Sequence, residues 1–254
     1  MPDFIADRPP SYRPADDATG VDALSGVDPF ILQADGKGWL FAPAGLVDGP
    51  LPVHYEPQES PFVNPLYGQQ RNPVREIIRH RQNPLQPAGS EPGADVFPYV
   101  ATTYRLTEHQ TAGGMSRTLP YLSELQPEFF CEVSPELAAE RDLSHLGWAT
   151  IITARTAIEA RVLVTERIRV IEVQGRRLYQ IGLPYHWGVS GLSTGDSANN
   201  LTHLALDPNV HIQETKALAC DIRPGRRPRG PALRQLVREY AERAGITEDT
   251  GTQL

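Results

Sequence analysis

Proline divides this chain. Of its 24 prolines, 16 precede residue 99 and eight are spread over the 156 positions that follow. Proline fixes φ and carries no backbone N–H, so the first part cannot build a regular sheet or a helix bundle. Yet that part is no simple disordered tail. It carries Phe30, Ile31, Leu32, Trp39, Leu40, Phe41, Phe62, Leu66 and Tyr67, and disorder-prone compositions are poor in such side chains. The reading is an extended arm over residues 1–96, laid on something larger, with one short helix over Asn72 to Arg81. A self-contained fold there conflicts with the rarity of structureless segments this long inside compact domains.

From Phe97 the pattern changes to short runs of β-branched and aromatic residues, the composition of strands. Phe97 to Thr103, Phe129 to Val133, Trp148 to Ala154, Ala157 to Thr165, Leu178 to Leu183 and Lys216 to Ile222 are the predicted strands, with Arg155-Thr156 joining the third to the fourth. Ser134-Pro135-Glu136 supplies an N-cap hydroxyl, a proline at the first helical position and an early acid, which predicts a helix ending near Leu143. An amphipathic helix follows over Arg234 to Ala244, closed by Gly245. Six short strands with few helices imply a mainly β fold, a closed barrel over residues 97–223, with a basic linker and a C-terminal helix over 224–254.

Composition excludes several classes. The net charge of −7 offers no general field for nucleic acid. The basic run Arg223 to Gly230 is read as four arginines in a solvated linker rather than a nucleic-acid tail. No apolar run approaches the ~18 residues needed to cross a bilayer. Met1 to Pro10 lacks a basic segment followed by an apolar one, so no export signal is encoded there. The two cysteines, Cys131 and Cys220, are too few for a disulfide framework or an iron–sulfur cluster held by this chain alone, and read as buried core residues.

Chemistry concentrates after the first predicted strand. Thr102-Thr103 gives way to Tyr104-Arg105-Leu106-Thr107-Glu108-His109, then Gly113-Gly114 and Ser116. Hydroxyls, a guanidinium and small residues permitting close backbone approach suit a pyrophosphate-linked, hydroxyl-rich ligand. Glu108 is suited to accept from the N–H edge of a heterocycle. The alternative is a surface turn in which Arg105 and Glu108 pair across three residues.

The stretch Tyr99 to Ser116 (YVATTYRLTEHQTAGGMS) resembles the C-terminal dinucleotide-binding domain of molybdopterin oxidoreductases, specifically the large subunit of respiratory formate dehydrogenases. The resemblance continues through Gly182 to Gly188 (GLPYHWG), Ser197 to Asn200 (SANN) and Glu214-Thr215-Lys216. It extends into the arm at Ala23 to Gly26, Pro29 to Gly45 and His54 to Pro57. It implies a six-stranded double-psi β-barrel binding a molybdopterin guanine dinucleotide with molybdenum or tungsten. The positions it marks as cofactor contacts are Thr102, Thr103, Arg105, Glu108, His109, Ser116, His186, Asn200 and Lys216. Alone, a His-Trp pair such as His186-Trp187 reads as packing, and Asn200 as a turn former. Thr215 stands where relatives often carry Tyr, so a contact made by that ring has no counterpart here.

The resemblance also implies what this chain lacks. Formate oxidation in that family uses a selenocysteine or cysteine metal ligand, an adjacent His and Arg, and an iron–sulfur cluster, all expected on an N-terminal catalytic part. Cys131 precedes Glu132 and Cys220 precedes Asp221, so neither begins a Cys-His pair. The chain alone is therefore expected to be inactive, and its partners to be that N-terminal part and an iron–sulfur electron-transfer subunit. Neither nucleic acid nor direct membrane insertion is expected, and the family leans toward the cell envelope. The competing readings are a free-standing molybdopterin-binding or carrier module without turnover, and part of another molybdopterin oxidoreductase such as a nitrate reductase.

Overall fold

Among the described residues, six of eight strands close into one ring. A computed structural model of the chain describes residues 13–19, 45–47, 49, 55–57, 59–61, 72, 94–173 and 175–246. Within it, β1 (Tyr99–Tyr104) leads to helix α1 (Pro120–Leu125), β2 (Phe130–Val133), helix α2 (Pro135–Glu140), β3 (Trp148–Ile152) and β4 (Ala157–Val164). Next come β5 (Ile171–Val173), β6 (Arg176–Leu178), β7 (Gln180–Pro184), a 3-10 turn (Ala198–Leu201), β8 (Ala217–Pro224) and helix α3 (Pro231–Arg243). Around the barrel the order is β1–β7–β2–β4–β3–β8, with β8 returning to β1. The β1/β7 and β2/β4 contacts are parallel and the others antiparallel. A parallel neighbour requires a crossover rather than a hairpin. Hence β2 reaches β4 through α2 and β3, and β1 reaches β7 through most of the barrel's sequence.

The predicted mainly β barrel of six strands is the observed one, with small shifts at strand ends. One strand differs. Leu178 to Leu183 is broken: β6 pairs with β5 in a separate two-stranded ribbon, and only β7 enters the barrel. Gly175, at φ +75°, supplies the left-handed turn between β5 and β6, a conformation that glycine adopts without steric penalty.

Alternation along the strands sends Ile151, Ile158, Ile181, Leu183, Leu218 and Ile222 into one core from which solvent is excluded. Cys131 and Cys220 are free and buried in the same core, as their composition suggested, and burial pushes the Cys131 thiol up to about 12. Ser134 caps α2, its Oγ accepting from the Leu137 N–H at 3.2 Å, and the helix buries Leu137 against the barrel. Helix α3 covers a second core of Val96, Phe97, Ile152 and Ala219 through Leu236 and Tyr240. The Tyr240 hydroxyl donates to Asp221 Oδ2 at 2.7 Å, and Arg141 holds the other oxygen of Asp221 at 2.7 Å.

The basic run is mostly exposed, but its arginines are tied down by ion pairs. Arg226 and Arg229 both reach Glu159 Oε1 at 2.7 Å, and Arg227 grips Asp196 at 2.5 and 2.9 Å. The reason lies on β4, whose Glu159 is only 6% exposed and needs counter-charge. Burial alone would raise the Glu159 and Asp196 carboxyls. Hydrogen bonds and charge from these arginines outweigh it and hold both below the usual carboxylate range. A depressed folded pKa contributes stability that is complete above the unfolded value, about 3.9 to 4.3, and is lost as pH falls through the lower folded value. Thermal midpoints measured from pH 7 to pH 3 should therefore fall steeply at the acid end, and Glu159→Gln should flatten that limb. An unchanged limb in the variant removes this cluster as its source.

Val53–Leu206 and Gln213–Leu254 form one unit, and Met1–Pro52 with Asp207–Ile212 another. Within the latter, Asp207 Oδ1 accepts from the N–H groups of Asn209 and Val210 at 2.9 and 2.7 Å, and Asn209 donates to the Gly49 carbonyl at 2.9 Å. The arm's aromatic and aliphatic anchors lie outside the described residues. So does its predicted helix apart from Asn72, which donates to the Leu206 carbonyl at 2.6 Å.

Candidate functional site

Because β1 and β7 are parallel, both leave the barrel at the same end, with Tyr104 and Pro184 in register. The start of β8 is there too, since Thr102 pairs with Ala217. A cleft of about 950 Å³ opens at this end. Four of the expected contacts, Thr103, Arg105, Asn200 and Lys216, line it, although they come from widely separated segments. Hydroxyls of Thr156, Thr202 and Thr215 and the amides of Asn199 and Gln213 complete a polar wall.

The charge on that wall is of one sign. Among the described residues Arg105, Arg155 and Lys216 line the cleft, and no carboxylate does. Arg155 is already matched: Glu59, 1% exposed, receives its Nη1 at 2.5 Å and its Nη2 at 3.0 Å, while Arg155 Nε donates to the Leu201 carbonyl at 2.8 Å. Arg105 lies over the Tyr185 ring, its Cζ 4.7 Å from the centroid, an arrangement that orients a guanidinium without neutralising it. The Arg105–Glu108 pair of the surface-turn alternative does not form. Among the described residues neither Arg105 nor Lys216 has a carboxylate partner. Two uncompensated cations in a chain of net charge −7 make this an anion-seeking cleft.

Thr102 and Glu108 line an adjoining hollow of about 380 Å³ instead, and Arg105 lines both. Its floor is a buried carboxylate: Glu132 accepts from the Tyr104 hydroxyl at 2.5 Å and from Arg167 Nε at 3.0 Å. Burial first, and then the hydrogen bond to Glu132, raises the Tyr104 phenol above its ordinary value and keeps it a donor. Gly182 leaves room beside it, because a Cβ there would lie 2.7 Å from Ile168 Cδ1 and 3.0 Å from the Tyr104 ring.

His109, Ser116 and His186 are buried, and their polar atoms hold the loop together. A backbone N–H only donates, so His186 Nε2, 2.8 Å from the Leu106 N–H, is the acceptor, and Nδ1 carries the proton donated to the Thr111 carbonyl. Burial lowers the His186 pKa, which keeps the ring in that neutral tautomer. By the same logic His109 Nε2 donates to the Gln126 carbonyl at 3.0 Å. Its Nδ1, 3.1 Å from Ser116 Oγ, accepts from the hydroxyl, which itself accepts from the Gln110 N–H at 3.1 Å.

Sequence reasoning passed over Arg155, Tyr185 and Arg117. Arg155 read as a mere strand connection, and its partner Glu59 is 96 positions away. Tyr185 sat inside the quoted Gly182 to Gly188 block, but only the following His186 was taken from it. Arg117 is buried, and its Nη1 donates to the carbonyls of Gly188 and Ser193 at 3.3 Å and to that of Ser190, tying the loop after β7 to the loop after β1. No local motif announces such a clamp.

The family model for the molydopterin dinucleotide binding domain matches residues 99–219. Formate dehydrogenase 2 subunit alpha (cytochrome c-553) of Nitratidesulfovibrio vulgaris is 36% identical over 203 residues, covering 80% of this chain and 20% of that protein. Formate dehydrogenase-O major subunit of Escherichia coli is 38% identical over 201 residues, covering 78% of this chain and 19% of that protein. Among solved structures, acetylene hydratase from Pelobacter acetylenicus superposes with a TM-score of 0.45 at 13% identity, over 85% of this chain and 25% of that one. The chain spans about a fifth of the length of the curated relatives it matches. Residues 99–219 match the molydopterin dinucleotide binding domain, and the chain is a homologue of formate dehydrogenase alpha subunits over about four fifths of its length.

Proposed function

We propose that this chain is the cofactor-gripping part of a formate dehydrogenase, seating a molybdopterin guanine dinucleotide in the cleft at the end of β1 and β7. The observation that carries the reading is the cleft's charge: cations without a carboxylate among its described lining residues, in an acidic protein. A dinucleotide brings two phosphates and hydrogen-bonding heterocycle edges, which is what this wall complements. Arg105, aligned on Tyr185, and Lys216 meet phosphate oxygens. Thr103 and Asn200 hydrogen-bond the pterin and guanine edges, and Arg155 forms a fixed wall because Glu59 holds its fork. Thr102 and Glu108 extend the site into the adjoining hollow, where the Glu108 carboxylate accepts from a ring N–H. His109, Ser116 and His186 act from behind, fixing the loop that presents Arg105.

The bound pterin, with molybdenum or tungsten, supplies the redox chemistry of formate oxidation to CO2. The residues that act on formate and the iron–sulfur cluster belong to the part of the enzyme outside this chain, and an iron–sulfur subunit takes the electrons onward. The chain by itself turns over no formate.

Charge-assisted hydrogen bonds contribute roughly 1.5–3 kcal/mol each. In the assembled enzyme, Arg105→Ala with Lys216→Ala should therefore lower the retained guanine nucleotide, measured after acid release, by about tenfold or more. Retention equal to the unsubstituted enzyme would remove this cleft as the seat of the dinucleotide.

A further inference from the structure

The 3-10 turn Ala198–Leu201 brings Asn200 to the cleft. A turn of four residues is too short to hold a side chain in place by its own hydrogen bonds, so what grips its ends decides where Asn200 stands. Ala198 and Leu201 are fully buried, while Asn200 stays exposed between them. One end is held by Arg155, whose Nε donates to the Leu201 carbonyl at 2.8 Å. The other end is held through Asp196, the residue before the Ser197 cap. Asp196 Oδ2 accepts from the Glu159 N–H of β4 at 2.9 Å, and Ser197 Oγ accepts from the Asn199 N–H at 3.3 Å.

The fork of Arg227 closes on that carboxylate. Its Nε donates to Oδ2 at 2.5 Å and its Nη2 to Oδ1 at 2.9 Å, and the two side chains are only 19 and 18% exposed. Such a bidentate pair fixes orientation as well as position. Holding the C-terminal run on the barrel does not need it. Arg226 and Arg229 reach Glu159 Oε1, and the Arg227 N–H itself donates to Glu159 Oε2 at 3.1 Å. The Arg227 guanidinium therefore serves the segment that leads into the turn, since Asp196 stands four positions before Asn200.

We infer that Arg227 is a positioning residue of the cofactor cleft, aiming the Asn200 carboxamide at a heterocycle edge of the dinucleotide through Asp196. The inference rests on the proposed seating of the dinucleotide in this cleft. It adds to that site a residue outside the cleft's described lining, 27 positions beyond the amide it serves. Both ends of the turn are thus set by guanidiniums from remote segments, Arg155 paired with Glu59 and Arg227 paired with Asp196. A carboxamide held in place before the ligand arrives gives up less freedom on binding, so the complex is tighter and parts more slowly.

The test uses the assembled enzyme and reads the rate at which guanine nucleotide leaves it. Arg227→Ala and Asn200→Ala should each speed release about fivefold, the scale of one neutral hydrogen bond. Because one acts through the other, the double variant should also release about fivefold faster, not the roughly 25-fold of independent sites. Arg229→Ala removes a cation from the same cluster without touching Asp196 and should leave the rate unchanged. A multiplicative double variant, or an Arg229→Ala as fast as Arg227→Ala, makes Arg227 a support of the fold and overturns the inference. If Arg227→Ala alone is silent while Arg105→Ala with Lys216→Ala loses nucleotide, the inference falls and the cleft stands. If that pair also keeps its nucleotide, both fall. Should Arg227→Ala fail to assemble, Arg227→Lys takes its place: a lysine meets a carboxylate as a point charge without the fork, so release should quicken about twofold, and not at all in an Asn200→Ala background. An equal quickening in that background overturns the inference.

Discussion

Glu59→Ala should destabilise the chain by about 3–5 kcal/mol, the range for breaking a buried ion pair from one side. In a protein of this size that is a fall of roughly 10 °C in thermal midpoint. The magnitude follows from what the carboxylate satisfies. Its Oε1 and Oε2 receive both terminal nitrogens of Arg155, whose side chain is 7% exposed, and Oε2 also takes the Ala219 N–H of β8 at 3.2 Å. Removing it takes this carboxylate from a buried guanidinium and an acceptor from a backbone donor of a barrel strand together. Glu59→Gln keeps an acceptor for Ala219 but not the charge, so its loss should fall between those of the native chain and the alanine variant. Equal midpoints for all three chains, measured by calorimetry, would show that Arg155 finds its counter-charge elsewhere. Because Arg155 also walls the cleft, the alanine variant should lose guanine nucleotide in the assembled enzyme in parallel with its stability.

Gly113→Ala should collapse the loop behind the cleft, while Gly114→Ala one position on changes almost nothing. A Cβ on Gly113 would lie 2.0 Å from the His186 carbonyl oxygen and 2.9 Å from Arg117 Nε, and the residue holds φ +75°. Backbone cannot yield that far without releasing Arg117 from the carbonyls it bridges. The left-handed conformation adds ~1–2 kcal/mol for any residue with a Cβ, and the clash brings the total above about 3 kcal/mol. At Gly114 nothing lies within 4 Å of the added carbon, so the change should stay within about ±0.5 kcal/mol. Paired thermal melts and nucleotide content decide the matter. Two variants that behave alike would mean that the contact between Gly113 and His186 does not hold this loop in place.

Much of the barrel was legible because its strands are short, β-branched and separated by turn residues, a pattern that survives without knowledge of pairing. The six barrel strands could be placed to within a few residues, and the N-cap of α2 could be read from Ser134-Pro135-Glu136. The break between β6 and β7 was not legible, since Arg176 to Pro184 is locally as strand-like on one side of Tyr179 as on the other. Pairing partners decide it, and those are set at a distance. The cleft was half legible for the same reason. Thr103, Arg105, Asn200 and Lys216 stand in segments whose residues carried a family pattern, whereas Arg155 acquires its place only through Glu59. Likewise the ion pairs of the Arg223 to Gly230 run were not legible, because nothing near it in sequence shows that buried Glu159 and half-buried Asp196 lie beside it.

Ring closure also sets a timetable. β1 is bordered by β7 and β8, and its first residue, Tyr99, pairs with Cys220. A nascent chain therefore carries β1 with both edges open until nearly the whole barrel has been synthesised, and such distant pairings form slowly. The cleft inherits the delay, because its walls come from the ends of β1, β3 and β7 and from the segment leading into β8. If the cleft seats the dinucleotide as proposed, its loading follows completion of this domain, and the cofactor waits for the last strand.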